Sequence, residues 1–303
     1  MTTLIPTRIP QVAAVALVLL AAGSACHAAS GAFNQSVAAD ARGTVEISNV
    51  SGKITVIGWD KPEVAVHAML GGGVDRVDVS TSKGRTVVKV VLPHMSLRDG
   101  DADLEVHVPS QSEVQATAVS ADLDTSHLIG VQRLKTVSGD LRAELTNAAF
   151  EAKTVSGEMR LRGTGQPADI RISTVSGDIT LDHGAGDVEA TSVSGDIRLE
   201  MEPARGVRLH STSGDLTFRG ALTADATVEA ETVSGDVTLR SRAQSGFEYE
   251  ATSFSGDIGN CFGKDAESTS RHGPGTRLSG TVGDGKARMR VKSMSGDVEI
   301  CDR

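Results

Sequence analysis

Apolar and polar residues alternate in short runs along most of this chain, and from Val114 onward the runs come in pairs hinged on one phrase, Ser-Gly-Asp. Aligned on its serine, the residue three later is apolar in each copy: Leu123, Leu141, Met159, Ile179, Ile197, Leu216, Val237, Ile258 and Val298. Two further on stand Leu161, Leu181, Leu199, Phe218, Leu239 and Ile300. Four before the serine stand Ala116, Leu134, Ala152, Ile172, Ala190, Leu209, Ala230, Ala251 and Val291, and six before it Val114, Phe150, Ile170, Val188, Val207, Val228, Tyr249 and Met289. The residue just before the serine (Val119, Val137, Val155, Val175, Val193, Thr212, Val233, Phe254, Met294) is hydrophobic in every copy but Thr212 and is read as a further inward position. Alternation at period two is the mark of a half-buried strand. Glycine in the hinge permits a positive φ, and Ser or Asp bonds nearby backbone. Each unit is therefore strand, tight corner, strand and a variable return.

The corners are Gly139-Asp140, Gly177-Asp178, Gly195-Asp196, Gly214-Asp215, Gly235-Asp236, Gly256-Asp257 and Gly296-Asp297, with looser copies at Ser51-Gly52-Lys53, Ser120-Ala121-Asp122 and Ser156-Gly157-Glu158. Successive serines from Ser120 to Ser255 lie 18, 18, 20, 18, 19, 21 and 21 residues apart. A repeat of that length, without helices, predicts an all-β chain: a parallel β-helix of about 18–21-residue rungs stacked roughly 4.8 Å apart. Right-handed coiling is the default for parallel crossovers.

Two outward columns carry charge. Five before the serine, successive repeats read Arg133, Glu151, Arg171, Glu189, Arg208, Glu229 and then Glu250. Stacked in register, opposite charges would face each other, and a slip of one rung would set like charges together. The second column is the corner carboxylate: Asp122, Asp140, Glu158, Asp178, Asp196, Asp215, Asp236 and Asp257. A row of calcium ions is one reading of it. The favoured one has each carboxylate accepting a backbone N–H at its own corner, with no metal and no cofactor.

Residues 1–28 read as an export signal, with Arg8 ahead of a short apolar run, Val12–Ala22, and small residues up to Ala28. Cys26 as a lipoprotein cysteine is the alternative. Residues 29–43 read as a flexible lead-in. Residues 44–113, with longer strands and no regular period, read as an irregular N-terminal β cap, a separate sandwich being the runner-up. Residues 114–302 are the solenoid proper. No transmembrane helix is expected after signal removal.

Composition narrows the chemistry. Thirty-nine acidic residues against 30 basic give a formal net charge of −9, with no basic block, which argues against nucleic acid as a partner. Eight histidines are scattered without metal-ligand spacing, and no nucleophile motif or phosphate loop appears. With one Trp, one Tyr and six Phe, the chain lacks the aromatics that glycan-active β-helix enzymes set beside their carboxylates. No catalytic residue is assigned.

Cys261 and Cys301 each lie six residues after their corner serines, Ser255 and Ser295, and so share a column. Export favours a disulfide between them. The bond needs their two rungs to be adjacent. A corner at Leu278–Val282 would place a rung between them and forbid it, whereas an excursion through Gly263–Gly275 would let them meet.

The Val-Ser-Gly-Asp-Ile type repeats resemble the bacterial β-strand-repeat putative adhesins, a family classed as a domain of unknown function. The opening Ser51-Gly52-Lys53-Ile54-Thr55-Val56-Ile57-Gly58-Trp59-Asp60 and the closing Gly280-Thr281-Val282-Gly283-Asp284-Gly285 resemble them too. The likeness spans nearly all of 44–302, and Ala121 and Glu158 depart from it. It implies an exported, non-catalytic β-helix, periplasmic or at the cell surface, sometimes encoded near envelope regulatory genes. The expected function is adhesin-like binding or scaffolding by a monomer, with an envelope protein or a glycan as partner. An envelope-stress sensor or regulatory partner is the alternative, and a glycan-active enzyme the more distant one.

Overall fold

The structure, a computed structural model, describes residues 31–93, 100–243, 246–269 and 274–302. The export signal and Cys26 lie outside the described residues. Every regular element among those described is a β-strand, and the strands build one all-β, solenoid-like stack. Along its middle the layers pair in parallel and in register, corner on corner: Ser138 on Ser156, Ser156 on Ser176, Ser176 on Ser194, Ser194 on Ser213 and Ser213 on Ser234. The inward residues form unbroken buried columns. Leu141, Met159, Ile179, Ile197, Leu216 and Val237 stack after the corner, each fully or almost fully excluded from solvent. Burying a side chain of this size contributes about 1.5–3 kcal/mol before the entropy of ordering is set against it.

At both ends the order in space departs from the order in sequence. Strand Thr44–Trp59 lies between two layers that follow it in the chain. It pairs with Glu113–Ser126 on one side, and with Arg85–Val91 and Asp101–Pro109 on the other. The latter layer is covered by antiparallel strands, Arg76–Ser82 on Arg85–Val91 and Glu63–Leu70 on Asp101–Pro109. Strand Ala32–Ala38 then pairs antiparallel with Glu63–Leu70, so seven residues of the stretch read as a flexible lead-in form an edge strand. Its Phe33 and Val37 pack against the core, which gives it the apolar anchor that its polar composition concealed.

At the other end the last repeat is inserted before the one that precedes it. Ala287–Ser295 pairs with Leu216–Ser234 on one face and with Gly246–Ser255 on the other, both in parallel. Thr276–Gly283 is no middle corner. It runs antiparallel along Gly246–Ser255 and closes the stack. The corner order in space is therefore Ser213, Ser234, Ser295, Ser255.

One further expectation fails. The hydrophobic residue before each serine points outward, with Val119 46% and Val193 47% exposed. Period-two alternation explains why: positions four and six before the serine face in, so the position one before it must face out. The inward neighbour is the hydroxyl residue two before it, as in Thr136, Thr154, Thr174, Ser192, Ser211, Thr232, Ser253 and Ser293, all buried.

Candidate functional site

The corner column is the most regular surface of the molecule. At Gly195 the backbone adopts φ 134°, and a Cβ there would run into the carbonyl oxygen of Gly177 on the neighbouring layer. Glycine answers both demands, and the main-chain ladder continues round the bend: Gly195 N donates to Ser213 O at 3.0 Å, and Ile197 N to Asp215 O at 2.9 Å. The aspartates form a second ladder. Asp140 N donates to Asp122 Oδ1, Asp196 N to Asp178 Oδ1, Asp215 N to Asp196 Oδ1 and Asp236 N to Asp215 Oδ1, each at 2.9 Å. Asp297 N then donates to Asp236 Oδ1 and Asp257 N to Asp297 Oδ1, both at 2.8 Å, following the order in space. The acceptor thus serves the next layer and not its own corner, as the sequence reading had it. A carboxylate placed on each amide offsets the like-charge repulsion along the row, at about 1 kcal/mol per bond. The column falters at Glu158, longer by one methylene, whose carboxylate bonds Arg160.

Beside this ladder runs the apolar stripe: Val50, Val119, Val137, Val155, Val175 and Val193, then Thr212, Val233, Met294 and Phe254. Ten layers at the strand spacing make it ~43 Å long. It broadens at the end that carries Met294 and Phe254, 58% and 57% exposed. There Val233, Phe254, Met294 and Pro274 line a groove of about 560 Å³, with Glu231 and Lys292 at its side. Lys292 Nζ lies 2.8 Å from Glu231 and holds that carboxyl below its ordinary value. Sequence reasoning missed the stripe because it took hydrophobic character as a sign of burial. The alternation itself carried the correct signal.

The domain model whose description reads Toastrack DUF4097 matches residues 32–219 and 192–301, between them nearly all of the described chain. The chain belongs to the Toastrack DUF4097 family. The residues that carried the sequence resemblance, from Ser51 to Asp297, lie inside the match. Solved structures similar to this Toastrack chain include a putative adhesin from Bacteroides fragilis, at 10% identity and TM-score 0.41, covering 89% of this chain and 96% of that one. A putative adhesin from Parabacteroides merdae matches at 8% identity and TM-score 0.35, with coverage of 89% and 96%. A putative cell adhesion protein from Clostridium sporogenes matches at 8% and 0.24, with coverage of 90% and 100%. No curated protein matches this chain.

In this Toastrack chain Cys261 and Cys301 are joined, their Cα atoms 5.0 Å apart. Strand Ile258–Asn260, which ends just before Cys261, and strand Val298–Cys301 are direct neighbours because the last repeat is inserted inward. The charge column stacks as its alternation implied, Glu151 between Arg133 and Arg171, then Glu189, Arg208 and Glu229. Ion pairs close at some of the steps, Arg171–Glu189 at 3.8 Å and Arg208–Glu229 at 3.7 Å. Elsewhere the partner lies on the same strand, as with Glu151 and Lys153 at 2.6 Å, which lowers the Glu151 pKa. The indole N–H of the half-buried Trp59 donates to Glu63 O at 2.9 Å, and its ring lies 5.0 Å from that of His107. Tyr249, placed inward by the repeat, is buried, and that burial raises its pKa. Among the described residues the His, Cys, Asp and Glu side chains close enough to share an ion are Cys261, Glu299 and Cys301, and two of those three are the disulfide.

Proposed function

We propose that this Toastrack chain is an exported, non-catalytic binding protein of the bacterial cell envelope, adhesin-like. In this reading it is a right-handed β-helix of 18–21-residue rungs that presents its corner face to a protein partner. The observation that carries the reading is the exposed stripe from Val50 to Phe254. An exposed apolar row of this length, interrupted once at Thr212, marks an interaction surface, and it ends in a Met and a Phe beside a groove, side chains that serve well as contact anchors. Aliphatic side chains in a row suit an extended apolar segment of a protein better than a sugar. The corner carboxylates are engaged as acceptors for backbone amides, which supports a structural role for them over a catalytic one. The disulfide and the signal-like N-terminus support export.

The test is retention of the mature chain on an isolated envelope fraction, compared with a Val155→Ser, Val175→Ser, Val193→Ser triple variant. These side chains are half exposed, so the variant keeps its circular dichroism and melts within a few degrees of the parent. Retention falls about tenfold if the stripe is the contact surface. Equal retention of the two folded proteins rejects the reading.

A further inference from the structure

A second feature lies at the far end of the arm that follows the corner, six residues away and so ~20 Å from the stripe. There five consecutive layers, still paired as strands but with breaks in register around Gly184 and Met201, line a cleft of about 560 Å³. Its charged lining comes from matching places in successive repeats: Arg162, Glu200 and Arg219 each stand six after their serine, and Glu202 and Arg242 eight after theirs. Gly163, Gly165 and Gly220 leave its wall free of side chains between these groups.

The pairing of these charges is uneven. Arg242 lies 3.0 Å from Glu202. Arg162 and Arg219 have no ion pair or hydrogen bond among the described residues, although Asp182 stands beside Arg162 and Glu200 beside Arg219 in the strand register. Most of the described arginines are paired: Arg133, Arg142, Arg160, Arg171, Arg205 and Arg208, among others, each hold a carboxylate. Two unengaged guanidiniums thus face one concavity, three layers or ~14 Å apart, and Arg242, held by Glu202, lies one layer beyond.

We propose that this cleft binds a short acidic oligosaccharide. Each guanidinium fork takes one carboxylate of the ligand in a two-point contact. The carboxylates of Glu200 and Glu202, set between the arginines, accept hydrogens from the intervening sugar hydroxyls. That interleaving selects against a densely charged polymer such as a nucleic acid, whose phosphates would meet both glutamates. The volume is that of a small-ligand site. The site is independent of the corner face and takes a different class of ligand.

The experiment is calorimetric titration of the mature protein with tetragalacturonate and, as a matched neutral probe, its fully methyl-esterified form. Tetragalacturonate should bind with a Kd below about 1 mM and weaken as salt rises. The ester, and an Arg162→Gln, Arg219→Gln double variant, should each bind about tenfold more weakly. Both arginines are exposed and unpaired, so the double variant should melt with the parent. The stripe variant Val155→Ser, Val175→Ser, Val193→Ser should bind the sugar like the parent, whatever its retention on envelopes. No binding of tetragalacturonate, equal binding of the ester, or full binding by the arginine variant would each overturn the proposal.

Discussion

Gly195 and Gly259 differ in what a single methyl group would cost. At Gly195 the backbone φ is 134° and the Cβ position is occupied by the carbonyl of Gly177, while the nearest atom to a Cβ at Gly259 is Val298 O, 4.0 Å away, with no positive φ. Gly195→Ala is therefore expected to destabilise by about 2–3 kcal/mol, from backbone strain together with the displaced neighbouring corner. Gly259→Ala should stay within about 0.5 kcal/mol of the parent or gain slightly, since alanine restricts the unfolded chain. Urea denaturation of the two variants checks this, and equal midpoints would remove the corner column as a point of strain. At this scale the sequence was legible wherever side-chain type and strand parity agreed, as at Leu181 or Ile197. It misled where they disagreed. Val175 is hydrophobic yet outward and Thr174 is polar yet buried, because parity in a strand is a geometric constraint whereas hydrophobic character is only a preference.

Two columns of the repeat, compared element by element, reveal the order of the layers. Five before the serine, the alternation of sign in the chain breaks at Glu229 and Glu250, and four before it the alternation of size breaks at Ala230 and Ala251. Both breaks are repaired in space by the last repeat. Arg290 stands between Glu229 and Glu250, and Val291 between Ala230 and Ala251, which extends the series Ile47, Ala116, Leu134, Ala152, Ile172, Ala190, Leu209 without a fault. Large and small residues facing one another fill the space between layers to interior density, so the size column specifies neighbours as firmly as the charges do. The sequence held the insertion in these paired faults. It stayed unread because repeats were taken to stack in chain order. Arg290→Glu would set three glutamates in consecutive layers and remove the 3.6 Å contact with Glu250. The expected loss is about 1 kcal/mol at low salt, shrinking in 1 M salt, where charges are screened beyond about 3 Å. A loss that is indifferent to salt would mean that the arginine acts through packing alone.

Taken whole, the molecule protects both ends of its ladder by folding the chain back over them. An open terminal layer would offer unpaired N–H and C=O groups to another chain. Here the outermost parallel layers are covered by antiparallel strands, Glu63–Leu70 at one end and Thr276–Gly283 at the other. The consequence for stability runs against the usual expectation that chain termini fray first. The C-terminal strands Ala287–Ser295 and Val298–Cys301 are held between parallel layers on both faces, whereas Gly246–Ser255 and Ile258–Asn260, earlier in the chain, form the outermost parallel layer, with the antiparallel Thr276–Gly283 laid along Gly246–Ser255. The Cys261–Cys301 bond ties the outer layer to the inner one across 40 residues of chain. In the chain-entropy model a loop of that length is worth about 4 kcal/mol, and less in practice where the reduced chain keeps structure. Reduction, or a Cys261→Ser, Cys301→Ser double variant, is thus expected to lower stability by about 2–4 kcal/mol. It should also make the two layers separable. Hydrogen exchange after reduction should show amides of 246–260 opening ahead of those of 287–300, with the layers from 132 to 234 protected longest, because the inner strand can leave only after its cover has gone. Faster exchange at 287–300 than at 246–260 would mean that the terminal strand is not held between two layers in solution.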